Sequence, residues 1–419
     1  MFGTKAVLAL LPAALFVVPP PDAPGTATRP VLTATEAAPY TPAAYLAATG
    51  SVSAPVTDPW LPGPAALPVP SGPPVPPLPA VPPRRPLVVG PTDASGATYP
   101  SVQAAVNAAY ALGGTAPVRI VVRPGTYRGS VYLPAGGPPI TIVGVGDREK
   151  VRLELTLDGA GTVASYLAVV GPYAETDPGY AMYWTCASKA VDAVVGTGCS
   201  SVVWSQAKDL TLENLTVANT VPDSVGSGTH QAVAVRASGD RTALRHVHLI
   251  SRQDTLYLDT PSATIVSRMQ VRDSLIEGDT DFVFGRASVV FDRDEFRLVS
   301  TRKANGVIFA PSTAPSWPYG FLVTHSRLMT DGGSTTGHFA RAWDAGAGST
   351  GYVPGTSPNG QLLIRDSEIG TGFDLTAPYQ PAATTSRPFT ANVEAARDLN
   401  DPNSNRIYEF RTRSASPTS

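Results

Sequence analysis

Five stretches decide the fold: LTLENLTV (210–217), ALRHVHLI (243–250), MQVRDSLIEG (269–278), FLVTHSRLM (321–329) and LLIRDSEIG (362–370). In each, a short alternating apolar run meets a polar pair, such as Glu213-Asn214 or Arg272-Asp273, and then an apolar position follows. Alternation of period two is the mark of a strand. If Asn214, His246, Asp273, His325 and Asp366 are equivalent, the spacings between them are 32, 27, 52 and 41 residues. A repeat of mid-twenties length with insertions, and one coil skipped, predicts a parallel β-solenoid. A sandwich would show hairpin dipeptides such as Asn-Gly between its strands, and these are nearly absent.

Working outward, VRIVV (118–122), ITIVGV (140–145) and VRLELTL (151–157) read as earlier strands of the same body, which begins at residue 87 and runs to 419. Between them, YPSVQAAVNAAYAL (99–112) carries Val102, Val106 and Ala109 at helical spacing with Ser101 as N-cap, so the all-β body has a short N-terminal helix. Residues 62–86 hold twelve prolines in twenty-five positions. Such a segment is a polyproline-II linker that builds no core. Upstream of it, residues 28–61 read as an extension packed on the main body, with a short helix over 35–48 carrying Tyr40, Tyr45 and Leu46.

The chain of 419 residues has 31 basic and 33 acidic side chains. That balance offers no field for nucleic acid and no polybasic patch for anionic lipid. Lys5 followed by an apolar run over 6–18 and then small residues reads as a signal peptide, cleaved after Ala27. The run is too short to span a bilayer, and no cysteine follows it to accept a lipid, so the mature protein is expected to be secreted, without an integral span. In an exported chain the two cysteines, Cys186 and Cys199, are expected to form a disulfide. No further ligands at zinc-like spacing accompany them, so no metal is expected.

Polar residues fall on the repeat in a pattern of their own. Gln231 to Gln253 is 22 residues and Asp254 to Asp281 is 27, each about one coil. Coils stack about 4.8 Å apart. Two glutamines and two aspartates therefore line up as a ladder on one face. A single aspartate at a strand end is ordinarily a turn former. Two stacked carboxylates are costly unless one is protonated or a cation compensates, which marks a site. A Ser227–His230 reading lacks a G-x-S-x-G elbow. His246 and His248 alternate along a strand, so only one can face the groove.

QAVAVRASGDRTALRHVHLISRQDTLYLD, IEGDTDFVFGRASVVF and FARAW resemble, in order, the main signatures of the pectin methylesterases, and GTYRGSVYLP (125–134) resembles their N-terminal signature. The stretch Tyr183 to Gln206 and the Asp- and Asn-rich tail near 399–405 resemble a bacterial branch that includes lipoproteins and members named acyl-CoA thioesterases. The resemblance implies a right-handed parallel β-helix and hydrolysis of C6 methyl esters of polygalacturonate through a covalent acyl-enzyme, with no cofactor. It implies Asp281 as nucleophile, Asp254 as general acid and base, Gln231 and Gln253 as oxyanion donors, and Arg341 as the partner that holds Asp281 ionised. Tyr257, Phe284 and Trp343 correspond to aromatic positions of the substrate groove. The partner implied is methylated homogalacturonan, met by a monomer.

Three positions depart from the family pattern: Ala342 stands in Ala340-Arg341-Ala342-Trp343 where the family's G-R-P-W has a proline, Gly129 where a glutamate follows G-x-Y-x, and Thr280 where valine is common. Losing that proline is expected to relax the loop without removing a functional group. Other readings of the same solenoid are a pectate lyase or polygalacturonase, an acyl-CoA thioesterase, or a silent polysaccharide-binding body. A lyase needs a calcium-binding carboxylate cluster, and a glycosidase needs an acid and base spaced across a glycosidic bond. Neither pattern matches as well as the aspartate pair.

Overall fold

The computed structural model describes residues 25–62, 85–91, 99–174, 181–334 and 336–415. Most of the expected signal peptide and of the Pro-rich linker lies outside these residues. Three parallel sheets of ten, nine and seven strands wind through the body, each coil giving one strand to each sheet. One such coil runs Thr242–Arg245, His248–Ile250, Leu256–Leu258, and the next runs Arg268–Arg272, Leu275–Gly278, Thr280–Gly285. The fold is a parallel β-helix.

The polar pairs of the repeat mark its corners. Asn214, His246, Asp273, His325 and Asp366 all have φ between 50° and 54°, the left-handed region. Asn, Asp and His are enriched there because a short polar side chain tolerates it. Each begins a two-residue corner from the ten-stranded to the nine-stranded sheet, and its N–H continues the ladder, as from Asn214 to Arg245 O at 3.0 Å and from His246 to Arg272 O at 3.0 Å. The skipped coil is at Arg293, φ 60°, which divides the 52-residue interval into 20 and 32. The residue after each left-handed position turns inward. There Ser274, Asp294, Ser326 and Ser367 form a buried polar stack in which each side chain accepts from the backbone N–H one coil earlier, at 2.8–3.2 Å. Buried backbone donors at the corners are thereby satisfied.

Val102–Ala111 is helical, Ser101 Oγ accepts from Ala104 N at 3.0 Å, and the helix packs over the first coils. The 35–48 helix is not continuous: Pro39 and Pro42 divide it into Ala34–Ala37 and Pro42–Tyr45, and Ala48–Ser51 is a strand. Proline removes a helical donor and clashes with the preceding turn. These short elements lie on the outer face of the ten-stranded sheet, where Leu32, Tyr40, Tyr45 and Leu46 cover Val290, Leu322, Leu363 and Tyr408. The four strands they cover are thus apolar on both faces, since alternate residues, such as Phe291 and Phe321, fill the interior.

The extension ends in an ionic clamp. Fully buried Arg268 donates to Asp240 Oδ1 at 3.0 Å and Oδ2 at 2.6 Å, and to Asp58 Oδ2 at 2.8 Å and the Asp58 carbonyl. Arg268→Met is expected to destabilise the protein by about 3 kcal/mol, the low end for breaking a buried pair. The low end applies because Arg241, 3.6 Å from Asp240, still faces that carboxylate. A urea midpoint within error of the parent's would contradict this.

Candidate active site

Gln231 and Gln253 are bridged as parallel neighbours, and Gln253 is bridged in turn to Thr280. The next residues along, Asp254 and Asp281, therefore stack on adjacent coils, as the 27-residue spacing predicts. Both aspartates sit at left-handed corners, with φ 66° and 46°. Asp254 N donates to Thr280 O at 3.0 Å, so the stack is fixed through the backbone. Four residues beyond Asp281, Gly285 has φ 135°, and a Cβ there would lie 1.9 Å from Leu258 O. Only glycine lets the two coils approach this closely.

Arg341 grips Asp281 with two parallel hydrogen bonds, Nε to Oδ1 at 2.8 Å and Nη2 to Oδ2 at 2.6 Å. This is the bidentate geometry that a planar guanidinium matches to a carboxylate. Asp254 is 8 % exposed and, among the described residues, has no such partner. Burial, reinforced by the negative charge of Asp281, pushes its carboxyl well above the usual carboxylate range, against a smaller opposing pull from Arg341. The two carboxyls thus differ in environment: one is held by a cation, the other is desolvated beside an anion. Among the described residues neither glutamine side chain is engaged in a hydrogen bond, and Gln253 Oε1 is buried without a partner. Both amides remain free for a bound molecule.

Tyr257 and Phe284 stack at 4.2 Å between centroids, and Trp343 meets both edge-on at 6.1 and 5.6 Å. All three line a cleft of about 420 Å³ with Gln231, Gln253, Asp254 and Asp281. Arg341 N donates to Phe309 O at 3.0 Å and Trp343 N to Pro311 O at 2.9 Å. Ala342 O accepts from Ala383 N at 2.8 Å on the other side. The loop without its proline is therefore pinned by both neighbouring coils, not relaxed. At Gly129 the space over the Cα is taken by the Tyr173 ring.

The structure sets aside the histidines. His230 Nδ1 lies 2.6 Å from Asp158 Oδ2, while Ser227 is exposed. His248 faces Glu149 and Glu277 on the nine-stranded sheet, and His246 is a corner residue, so neither lines the cleft. Cys186 and Cys199 form a disulfide. It ties the helix Ala181–Ala187 to the turn Thr197–Ser200, whose Thr197 and Gly198 are part of the cleft wall. Sequence reasoning missed Arg236 and Arg286, which line the cleft as well. Their signal was available: Arg236 falls one coil before Tyr257, and Arg286 two residues after Phe284. Among the described residues no group of three or more His, Cys, Asp or Glu side chains could hold a metal ion, and no helix is long and apolar enough to cross a membrane.

A parallel β-helix with a gripped carboxylate, a desolvated carboxyl and two free amides in an aromatic cleft is the scaffold of a hydrolase acting on carboxyl derivatives. The Pectinesterase family model matches residues 180–341. Pectinesterase B of Dickeya dadantii (strain 3937) is 46% identical over 409 residues, 94% of this chain and 91% of that protein. The structure of rice weevil pectin methyl esterase is 34% identical with a TM-score of 0.78, covering 94% of this chain and 99% of that one. The crystal structure of Escherichia coli YbhC is 36% identical with a TM-score of 0.82, covering 94% and 96%. The chain belongs to the pectinesterase family, a family of carboxylic ester hydrolases.

Proposed function

We propose that this protein hydrolyses the C6 methyl esters of polygalacturonate, releasing methanol and leaving free galacturonate. The observation that carries the reading is the pairing of Asp281, held in the Arg341 fork, with the buried Asp254, whose carboxyl burial and the Asp281 charge push well above the usual carboxylate range. An Asp281 oxygen attacks the ester carbonyl, and the electron pair of the C=O bond moves onto oxygen. Gln231 and Gln253 donate to that oxyanion, a contribution of about 3–4 kcal/mol per donor in comparable sites. As the bond to the methoxy oxygen breaks, Asp254 gives it a proton and methanol leaves, so an anhydride joins the galacturonyl carbon to Asp281. Asp254, now ionised, takes a proton from water, and the resulting hydroxide adds to the galacturonyl carbon. Collapse frees Asp281 as a carboxylate.

The same reading assigns residues 1–27 to export, 62–86 to a linker and 87–419 to a secreted, monomeric catalytic body. The test is methanol release from methylated pectin by the purified protein, with an acyl-CoA offered in parallel. YbhC bears an acyl-CoA thioester hydrolase name. Free thiol from the acyl-CoA with no methanol from pectin would replace the proposal by a thioesterase.

Arg341→Lys is expected to lower kcat about 10²-fold, the usual penalty for a misplaced reacting group. An ammonium keeps the charge but cannot hold both oxygens of Asp281 in one plane. KM should change little, because Tyr257, Phe284 and Trp343 are untouched. A kcat within threefold of the parent's would show that charge alone suffices.

A further inference from the structure

Two residues ahead of Asp281 the chain buries a second ion pair. Asp279 is the single-residue corner between the strands Leu275–Gly278 and Thr280–Gly285. Arg302 grips its carboxylate, Nε to Oδ2 at 2.6 Å and Nη2 to Oδ1 at 2.9 Å, and the two side chains are 0 % and 1 % exposed. Neither residue is among those lining the cleft. The backbone of the corner is pinned on both sides. Asp279 N donates to Arg252 O one coil earlier at 2.9 Å, and Asp279 O accepts from Val307 N one coil later at 3.0 Å. Gly306 permits the second approach, since a Cβ there would lie 2.2 Å from Asp279 O. The Arg302 fork thus ties the 300–306 loop to the residue that sets where the Asp281 strand starts.

Among the described residues, Asp281, Arg341 and Asp279 are the charged groups that face Asp254. Asp281 is matched by Arg341 and Asp279 by Arg302, so each fork is neutral on its own. Lys303, the next residue, faces Asp279 and Asp281 as well as both arginines. Arg252, two residues before Asp254, is occupied by Asp223 at 2.6 and 3.1 Å. Stability does not account for the second fork. Exchanging a buried ion pair for apolar side chains is often neutral or stabilising. Arg302 Nη1 is also buried without a partner among the described residues, which is a cost.

We propose that Asp279 and Arg302 are positioning residues for the esterase reaction, anchoring the corner that carries Asp281 and cancelling each other's charge behind Asp254. This rests on the acid–base role given to Asp254 above. That role needs both protonation states, one to release methanol and one to activate water. An unmatched guanidinium behind Asp254 would draw off its proton before methanol departs. An unmatched carboxylate would oppose the ionised form that takes a proton from water. A neutral fork favours neither state, and its rigid plane holds the corner while the proton moves.

The test is methanol release from methylated pectin as a function of pH, with a melting curve for every variant. In the parent, kcat has the alkaline limb assigned to Asp254. Asp279→Asn leaves the Arg302 charge unmatched, so the limb should move about one pH unit lower, the low end for an opposite charge close by. KM should stay within about twofold, because the cleft wall is unchanged. Asp279→Asn combined with Arg302→Met removes both charges, and its limb should return to the parent's position. Its plateau kcat should still fall about tenfold, because the corner is no longer tied and the nucleophile is slightly misplaced. A limb that Asp279→Asn leaves in place, or that the double variant leaves displaced, overturns the proposal. Removing one partner of a buried pair is the costly case for folding. Should Asp279→Asn melt too early to assay, the double variant decides, and a plateau kcat within about twofold of the parent's overturns the proposal. A parent without an alkaline limb would remove the acid–base role of Asp254 and with it the role of the pair. A limb present in the parent but unmoved in Asp279→Asn counts against the pair alone.

Discussion

Asp281→Asn should reduce turnover on methylated pectin to background, a loss on the order of 10⁴–10⁶-fold. An amide oxygen is too weak a nucleophile to attack an ester, and no anhydride can form from it. Asparagine is the informative substitution because of the backbone. Asp281 has φ 46°, and asparagine accepts the left-handed region with little strain. Alanine there would add about 1–2 kcal/mol of backbone cost and blur chemistry with folding. The variant also keeps an oxygen for Arg341, which now donates to Oδ1 and Oδ2. Binding of methylated oligogalacturonide, measured separately, should survive because Tyr257, Phe284 and Trp343 pack together with Val233 and Ala310 and do not depend on the Asp281 carboxylate. Turnover within tenfold of the parent's would remove Asp281 from the mechanism. Binding lost together with turnover would trace the effect to the fold.

How far the sequence announces this site depends on which physical rule each residue obeys. Asp254 and Asp281 are legible because one coil separates them, and because the left-handed corner admits aspartate. The corner from the ten-stranded to the nine-stranded sheet is legible at Asn214, His246, Asp273, His325 and Asp366 for the same reason. It is hidden at Arg293, also left-handed at φ 60°, because there an ion pair to Asp273 at 2.8 Å supports a long side chain that local preference would not select. Tertiary contact overrides propensity at that coil. The division of the 35–48 segment into two short helices was readable from Pro39 and Pro42. The apolar spacing of Tyr40, Tyr45 and Leu46 reflects burial against a sheet face and does not require one continuous helix. Arg236, within a strand, and Arg286, in the bend just after one, escape notice because isolated arginines at such positions are ordinarily solvated. What distinguishes them is Asp259 between them, and that depends on register across coils.

Asp254→Asn should slow kcat by on the order of 10²–10⁴-fold, the usual contribution of general acid–base catalysis. The amide keeps the shape and tolerates φ 66°, but it can neither protonate departing methanol nor deprotonate water. The pH dependence separates this role from a structural one. Burial and the neighbouring Asp281 charge hold the Asp254 carboxyl well above its ordinary pKa. Methanol release by the parent is therefore fully supported while Asp254 is protonated and falls as pH rises through that raised pKa. In the variant this alkaline limb should disappear. The variant's stability should change in the opposite sense to its activity. An aspartate whose folded pKa is raised binds more protons folded than unfolded once pH passes its unfolded value, about 3.9. Stability then declines with rising pH until the folded pKa is passed. Asparagine carries no charge to desolvate, so the variant should melt at or above the parent's temperature at neutral pH, and the gap should shrink as pH falls toward 4. Thermal melts across pH 4–8 with kcat profiles over the same range check both halves. A variant that melts below the parent at neutral pH, or keeps the alkaline limb, would mean that Asp254 is not the buried acid.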